Sequence, residues 1–289
     1  MAQTQILNRR IRSIKNAKQI TKAMEVVAAS RMRRVQTAVG YSRTYAEMAA
    51  SIIRRVAPSE EAKHHPYFKK VSDPKRLYII FTSDRGLAGA FNSNIISTAT
   101  RSFVEDMASG KSPSVVVFGR KGARFFAKLE DIDLIGNYED VADSPEANVF
   151  GSVLETIDSG LASGQFNTVN LIYTEFVSTL NQRIRNDQLL PISLSEQEST
   201  QLKIVFEFEP SMEEVLEEAI RLYFESQLIG ARTESAASEY AMRMIAMGNA
   251  NRNAGDIIDG LTLELNATRQ AAITQEIAEI TGGASAIAG

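Results

Sequence analysis

The chain has 289 residues, 44% of them hydrophobic, with no cysteine, no tryptophan, two histidines and a formal net charge of −3. The lack of cysteine excludes disulfides, thiolate nucleophiles and zinc–thiolate centres, and no apolar run of about 18 residues exists to span a bilayer. Up to Pro58, twelve Lys and Arg stand against two Glu, near +10, which leaves about −13 on the remainder, so a cationic rod leads an otherwise acidic chain.

All seven prolines lie from Pro58 to Pro210. Proline is the strongest helix breaker, so residues 1–57 read as one helical arm of roughly 80 Å. Within it Ala28, Met32, Val35, Val39, Ser42, Ala46, Ala49, Ile53 and Val56 step by four and three, with Met24 and Val27 widening the stripe. No apolar signal core opens the chain. Its first residues are Arg-rich and acid-poor, as a transit peptide is, but lead unbroken into the stripe, and the expectation is a bacterial cytoplasmic protein.

The segment 58–75 is polar, holds three prolines and reads as a linker, with His64 and His65 as a solvated loop pair. Arg76 to Asp84 reads as a buried strand, followed by a glycine turn; Asn92 or Ser93 could cap a helix running to about Met107. A strand from Ser114, a helix from Lys121 to Leu129 and a short strand from Ile132 to Gly136 come next. Pro145, after Ser144, opens a helix to about Ala162. Thr168 to Ser178 and Leu202 to Glu209 read as the last strands, joined by an extended, hairpin-like connection from Leu180 to Thr200. Strands alternating with short helices predict a parallel-type α/β sheet with covered faces, a small Rossmann-like domain.

After Pro210 no proline interrupts the chain, and a helix from Ser211 to about Thr281 would be roughly 105 Å long. Tyr240, Met244, Met247, Asn251, Ala254, Ile258, Leu261, Leu265, Thr268 and Ala272 trace a heptad seam. Gly248, Gly255 and Gly260 weaken this helix by up to ~1 kcal/mol each, so it needs a partner. The middle domain returns the chain to where it left, and the two arms are expected to pair as an antiparallel coiled coil. The resulting organisation is 1–57, an N-terminal coiled-coil helix; 58–210, an α/β domain; and 211–289, a C-terminal coiled-coil helix.

Two motifs invite a nucleotide reading. Gly110, Lys111 and Ser112 resemble the end of a phosphate loop, but Glu105 stands where its first glycine belongs and Pro113 blocks the following helix. Asp84 to Gly89 follows a strand at the edge where open α/β folds place ligands, yet its spacing is not the dinucleotide fingerprint, and glycines that merely permit a tight turn account for it. Asp187, Glu196 and Glu198 have no evident base or nucleophile partner. No catalytic, cofactor-binding or metal-binding residue is therefore expected. The basic arm reads either as a solvated helix face or as a docking surface for an acidic protein, nucleic acid or lipid headgroups. Only Tyr41 and Tyr45 offer it aromatic stacking, and the acidic remainder repels phosphate.

Ile273 to Ala286 (ITQEIAEITGGASA) resembles the C-terminal signature of the gamma subunit of rotary ATP synthases, and Arg10 to Arg34 resembles its N-terminal helix. SDRGLAGAFNSNI, FGRKG, FVSTLNQ, QLLPI, FEPSMEEVLEEAIRLYFESQL and ESAASEYAMRMIAM extend the likeness over essentially the whole chain. Ala88 stands where many members carry cysteine, and the cysteine-bearing insertion of the chloroplast relatives is absent. The resemblance implies a non-catalytic rotor without cofactors that couples proton translocation to ATP synthesis or hydrolysis. Its terminal helices would form a shaft inside a ring of three alpha and three beta subunits. The α/β domain would contact the epsilon subunit and the membrane c-ring. Neither nucleic-acid binding nor direct membrane insertion is implied, and the location would be peripheral, on the cytoplasmic face of the bacterial inner membrane. By matching motifs, Met24 would meet the acidic lever of beta, and Arg243, Arg269, Gln270, Thr274 and Glu276 would contact the surrounding ring; otherwise they are ordinary solvated coiled-coil positions.

Overall fold

A computed structural model describes residues 2–69, 72, 74–143, 150–192 and 208–288. In chain order these form α1 (Ala2–Val56), α2 (Glu60–His64), β1 (Arg76–Phe81), α3 (Phe91–Ala108), β2 (Ser114–Phe118), α4 (Arg120–Phe126) and β3 (Asp133–Tyr138). They continue with α5 (Gly151–Ser163), β4 (Thr168–Phe176), β5 (Gln182–Leu190) and α6 (Met212–Ala288). The chain divides into two units, Met1–Ala28 with Arg243–Gly289, and Ala29–Met242.

In the unit Ala29–Met242, the β-branched and aromatic runs RLYIIF, SVVVF and TVNLIYTEF make a five-stranded sheet of order β3-β2-β1-β4-β5. The first four strands are parallel, with Ile79 level with Val116 on one side and Leu171 on the other. The fifth is antiparallel, because the connection from β4 is only a short turn closed by backbone bonds between Ser178 and Asn181. The hairpin expected between Leu180 and Thr200 thus contains a full strand, with polar residues suited to an edge. Alternation along β1 sends Leu77, Ile79 and Phe81 to one face, against α5 and the adjoining parts of α1 and α6, through Ile157, Ile53, Ile220 and Phe224. Tyr78 and Ile80 face the other way, against Phe91, Ile95 and Phe103 of α3 and Phe126 of α4. Fully burying each of these large side chains contributes about 1.5–3 kcal/mol.

Three local expectations are corrected. The 58–75 segment is packed rather than a bare linker: Ser59 caps α2, Ala62 is fully buried, and Tyr67 and Phe68 lie against the core. His65 is half-buried and its ring accepts from the Tyr67 amide, so the histidines are not a solvated pair. Helix α3 starts without a side-chain cap; Asn92 instead accepts from the Ser83 amide and anchors the preceding turn. The expected strand Leu202–Glu209 and the helix start at Pro145 fall mostly or wholly outside the described residues.

In this unit α1 and α6 run antiparallel: Arg31 reaches Tyr240 and Arg43 reaches Glu234. Met32, Val35, Val39, Ser42, Ala49, Ile53 and Val56, all expected seam positions, are buried.

In the unit Met1–Ala28 with Arg243–Gly289, the two helix segments again pair antiparallel. A Cβ on Gly248 would lie 3.7 Å from Glu25 Cδ, and one on Gly255 only 3.0 Å from Lys18 Nζ. Gly255 thus leaves room for the Lys18 side chain crossing from α1, whereas a Cβ at Gly248 would make only ordinary contact with Glu25. Leu7, Ile11, Ala28, Met247 and Ala254 are buried, and Ile258, Leu261, Leu265, Thr268 and Ala272 are half-buried at the expected heptad positions. Val27, expected to widen the stripe, is 54% exposed and points away from it. From Ile273 to Gly282 every residue is exposed. No helix among the described residues is long and apolar enough to cross a membrane.

Candidate functional site

Open α/β sheets take ligands where the strand order reverses, outside the carboxyl ends of the strands. Here the reversal lies between β1 and β4. Strand β4 extends beyond its last β1 partner, the pair Ile80 and Ile172, so later backbone groups on that side need other partners. Helix α6 provides them. The Thr174 amide donates to Ser235 Oγ (3.2 Å), Ser238 Oγ donates to the Thr174 carbonyl (3.2 Å), and the Phe176 amide donates to Glu234 Oε2 (3.1 Å). From α1, Arg43 donates Nη2 to the Phe176 carbonyl (2.8 Å) and Nε to Glu234 Oε1 (2.9 Å). Ser235 and Ser238 are buried. The ligand crevice of this sheet is filled by the chain's own helix.

The glycine turn after β1 is likewise closed on itself. Asp84 accepts the Arg120 amide (3.0 Å) and the Asp140 amide (3.2 Å). The Lys121 amide goes to the Ser83 carbonyl and the Gly122 amide to Thr82 Oγ1, both at 3.0 Å. The amides at the start of α4, which in a phosphate site would face the ligand, are all spent on this turn. Gly119 has φ +98, and a Cβ there would sit 2.3 Å from the Thr82 carbonyl oxygen, so glycine is required for β1 and α4 to approach. Gly110 and Lys111 lie between α3 and β2, helix before strand, the reverse of a phosphate loop.

A second polar cluster ties α6 to the segment after β3. Arg232 donates to the Val141 carbonyl (2.7 Å) and to Asp143 (3.3 Å), and Tyr240 donates its hydroxyl to Asp143 (2.8 Å). Arg31 of α1 donates to the same hydroxyl oxygen (3.1 Å). Burial, with the Asp143 hydrogen bond opposing the pull of Arg31, raises the Tyr240 phenol above its ordinary pKa and keeps it a donor. Sequence periodicity missed both clusters; the available signal was the run ESAASEY, polar within a helix that had to be buried.

A cavity of about 580 Å³ lies between α5 and the start of α6, with Tyr67, Leu154, Ile220 and Phe224 as apolar lining and His65, Asp158 and Glu217 among its ionisable groups. Tyr67 donates its hydroxyl to Asp158. Burial lowers the His65 pKa and raises that of Asp158. Among the described residues no serine, threonine, lysine or cysteine nucleophile lines it, and no group of three acidic or histidine side chains could hold a metal.

The residues expected to meet partners lie apart from these clusters. Arg269, Gln270, Thr274 and Glu276 are exposed, with Thr274 Oγ1 bonded back to the Gln270 carbonyl (3.0 Å). Met24 is half-buried. Arg243 differs, being only 8% exposed, so most of its side chain is turned into the protein rather than outward. The heptad pattern passes over apolar residues off the seam: Ile20 and Val26 on α1, and Ile273, Ile277 and Ile280, spaced four and three toward the C-terminal end of α6, are all exposed.

A family model described as ATP synthase matches residues 3–287. The ATP synthase gamma chain of Pelotomaculum thermopropionicum is 39% identical over 97% of this chain and 98% of its own length. That of Streptomyces griseus is 40% identical over 99% and 97%. Among solved structures, a chain of the central stalk and c-ring of the Tetrahymena thermophila mitochondrial ATP synthase superposes with a TM-score of 0.64. It is 24% identical, covers 80% of this chain and 99% of its own, and attests the fold. With matches of this extent, the chain belongs to the ATP synthase gamma-chain family.

Proposed function

We propose that the chain is the central rotor of a rotary ATP synthase, coupling proton translocation to ATP synthesis or hydrolysis without catalysing either. The observation that carries the non-catalytic reading is the filled crevice: the place where an α/β sheet would hold a nucleotide is taken by Glu234, Ser235 and Ser238. A shaft needs long helices that brace each other and a surface that meets its housing without locking to it. The paired segments of α1 and α6 supply the first. The exposed turns from Ile273 to Gly282, with Arg269, Gln270, Thr274 and Glu276, supply the second.

In this reading three alpha and three beta subunits surround the helices, and the α/β domain, within 58–210, meets the epsilon subunit and the c-ring. The complex sits peripherally on the cytoplasmic face of the bacterial inner membrane. The basic face of residues 1–57 suits acidic levers on beta because charge attraction is long-ranged and weakly directional, and exposed pairs contribute only about 0–1 kcal/mol each. A shaft held so can leave each of three equivalent partners in turn. Met24 lies at that contact, and Arg243, largely buried, belongs to the shaft positions facing the surrounding ring.

The test is reconstitution with alpha and beta subunits. One copy of the chain per three of each is expected, with ATP hydrolysis driving rotation of a bead attached to the chain. A complex that hydrolyses ATP while the bead stays still would overturn the proposal.

A further inference from the structure

We infer that torque passes between the helix pair and the sheet domain through the two polar clusters on α6, which act as mechanical joints; this rests on the rotor reading above. Both joints lie wholly within the unit Ala29–Met242. The first is the end of β4, gripped by Glu234, Ser235 and Ser238 and by Arg43 from α1. The second is Asp143, gripped by Arg232 and Tyr240, with Arg31 of α1 bonded to the same phenol.

Apolar packing is non-directional, so two packed surfaces can slide with little change in buried area. Hydrogen bonds weaken steeply with angle and distance, so a helix bonded to a strand cannot turn against it without breaking them. Burial makes such breakage costly, because water cannot replace the lost partner. From Ala231 to Tyr240 every residue of α6 is buried, yet the stretch includes Arg232, Thr233, Glu234, Ser235, Ser238 and Glu239. A helix buried on all sides is ordinarily apolar. Arg232, Glu234, Ser235 and Ser238 in this stretch supply directional bonds where apolar residues would supply only area.

Each joint also takes one arginine from α1, at Arg43 and Arg31. Arg43 fastens α1 directly to the Phe176 carbonyl, while Arg31 reaches the second joint only through Tyr240 of α6, so a twist applied to α1 reaches Phe176 directly and Thr174 and Val141 through α6. These side chains touch no reacting atom; they are positioning residues for coupling.

The experiment uses the complex with alpha and beta, fixed by its beta subunits, and a bead on the sheet domain through S109C, a unique thiol in a chain without cysteine. Bead fluctuations are recorded with rotation arrested. If the two joints act in parallel, releasing either one about doubles the angular variance, since mean-square displacement scales inversely with stiffness. Glu234→Gln, which keeps one acceptor, and Tyr240→Phe, which leaves both Arg232 bonds, each loosen a joint without releasing it and are expected to widen the distribution by less than that factor, while the core variant Leu216→Ala, which weakens packing and leaves both joints intact, keeps the wild-type width. Wild-type widths in Glu234→Gln and Tyr240→Phe, or equal broadening in Leu216→Ala, would overturn the inference. Should Glu234→Gln not assemble, Tyr240→Phe, which removes one oxygen, decides alone. The rotor reading itself is read separately, from ATP-driven rotation of the wild-type bead: if that bead does not turn, the rotor reading falls and the joints with it.

Discussion

Replacing Glu234 by alanine tests how much of the contact between α6 and the sheet depends on one carboxylate. Its two oxygens serve different donors, Arg43 Nε at 2.9 Å and the Phe176 amide at 3.1 Å. Phe176 is 5% exposed, so its amide has no ready access to water once the carboxylate is gone. Orphaning a buried amide costs about 1–3 kcal/mol. The ion pair adds less than about 1 kcal/mol, because the Arg43 side chain is 47% exposed and water screens it. The expected loss is therefore about 1–4 kcal/mol, whereas Glu234→Gln keeps one acceptor and loses about half of that. Urea unfolding followed by circular dichroism measures the global change, and hydrogen exchange at the Phe176 amide measures the local one. A Glu234→Ala protein within ~0.5 kcal/mol of wild type, with an equally protected Phe176 amide, would refute the assignment of that amide to Glu234.

Two glycines predict opposite outcomes for the same substitution. Gly160→Ala places a Cβ 2.2 Å from the buried Phe166 ring and should cost about 1–3 kcal/mol by overpacking, while Gly230→Ala meets nothing within 4 Å and should gain up to ~1 kcal/mol of helix propensity. Thermal unfolding of the two variants would expose an error if both shift the same way. Burial lowers the His65 pKa despite Glu217 and Asp158, so in the window below 6.5 the folded chain binds fewer protons than the unfolded one. Stability should rise with pH through that window, and His65→Asn should flatten the rise; parallel urea-midpoint profiles for the two proteins would contradict this. Met24→Lys should leave assembly intact but lower protons pumped per ATP hydrolysed, because a new ion pair with an acidic lever would favour one rotary position by ~1 kcal/mol or more. An unchanged ratio on the same vesicles would place Met24 away from the torque-bearing contact.

Proline distribution and heptad spacing were sufficient to read the two long helices and most seam positions, because both signals are local and repeat over many turns. The half-buried run from Ile258 to Ala272 follows the spacing read from the sequence. Val27 was misplaced since it adjoins the buried Ala28, and neighbours on a helix lie about 100° apart. Asn92 was misread as a cap because its amide oxygen goes instead to Ser83, nine residues back. Strand β5 was legible only as a hairpin limb, its charged alternation being weak evidence for a strand until the short turn after β4 fixed its direction. The joints were illegible: Arg43 and Glu234 are 191 residues apart, Tyr240 and Asp143 are 97 apart, and periodicity names a buried face without naming what it is buried against.

The same distinction explains how a sheet of this topology comes to carry a glycine turn at its ligand edge without an available ligand site. Gly119 is demanded by the close approach of β1 to α4, and Gly89 by its positive φ of 57, whatever lies beyond the sheet. They would remain necessary if no ligand had ever bound. Whether a site exists is decided elsewhere, by what occupies the space beside the end of β4 that outruns β1. A nucleotide would satisfy the Thr174 and Phe176 backbone only while bound, leaving those groups to water otherwise. Glu234, Ser235 and Ser238 satisfy them permanently. Vacating the crevice would mean withdrawing a helix that is also tied to α1 and to Asp143, so affinity there would have to exceed the combined cost of those buried bonds. Fold class alone would have suggested a binding protein. The polar composition of one buried helical stretch points instead to a sheet fastened to its own helices.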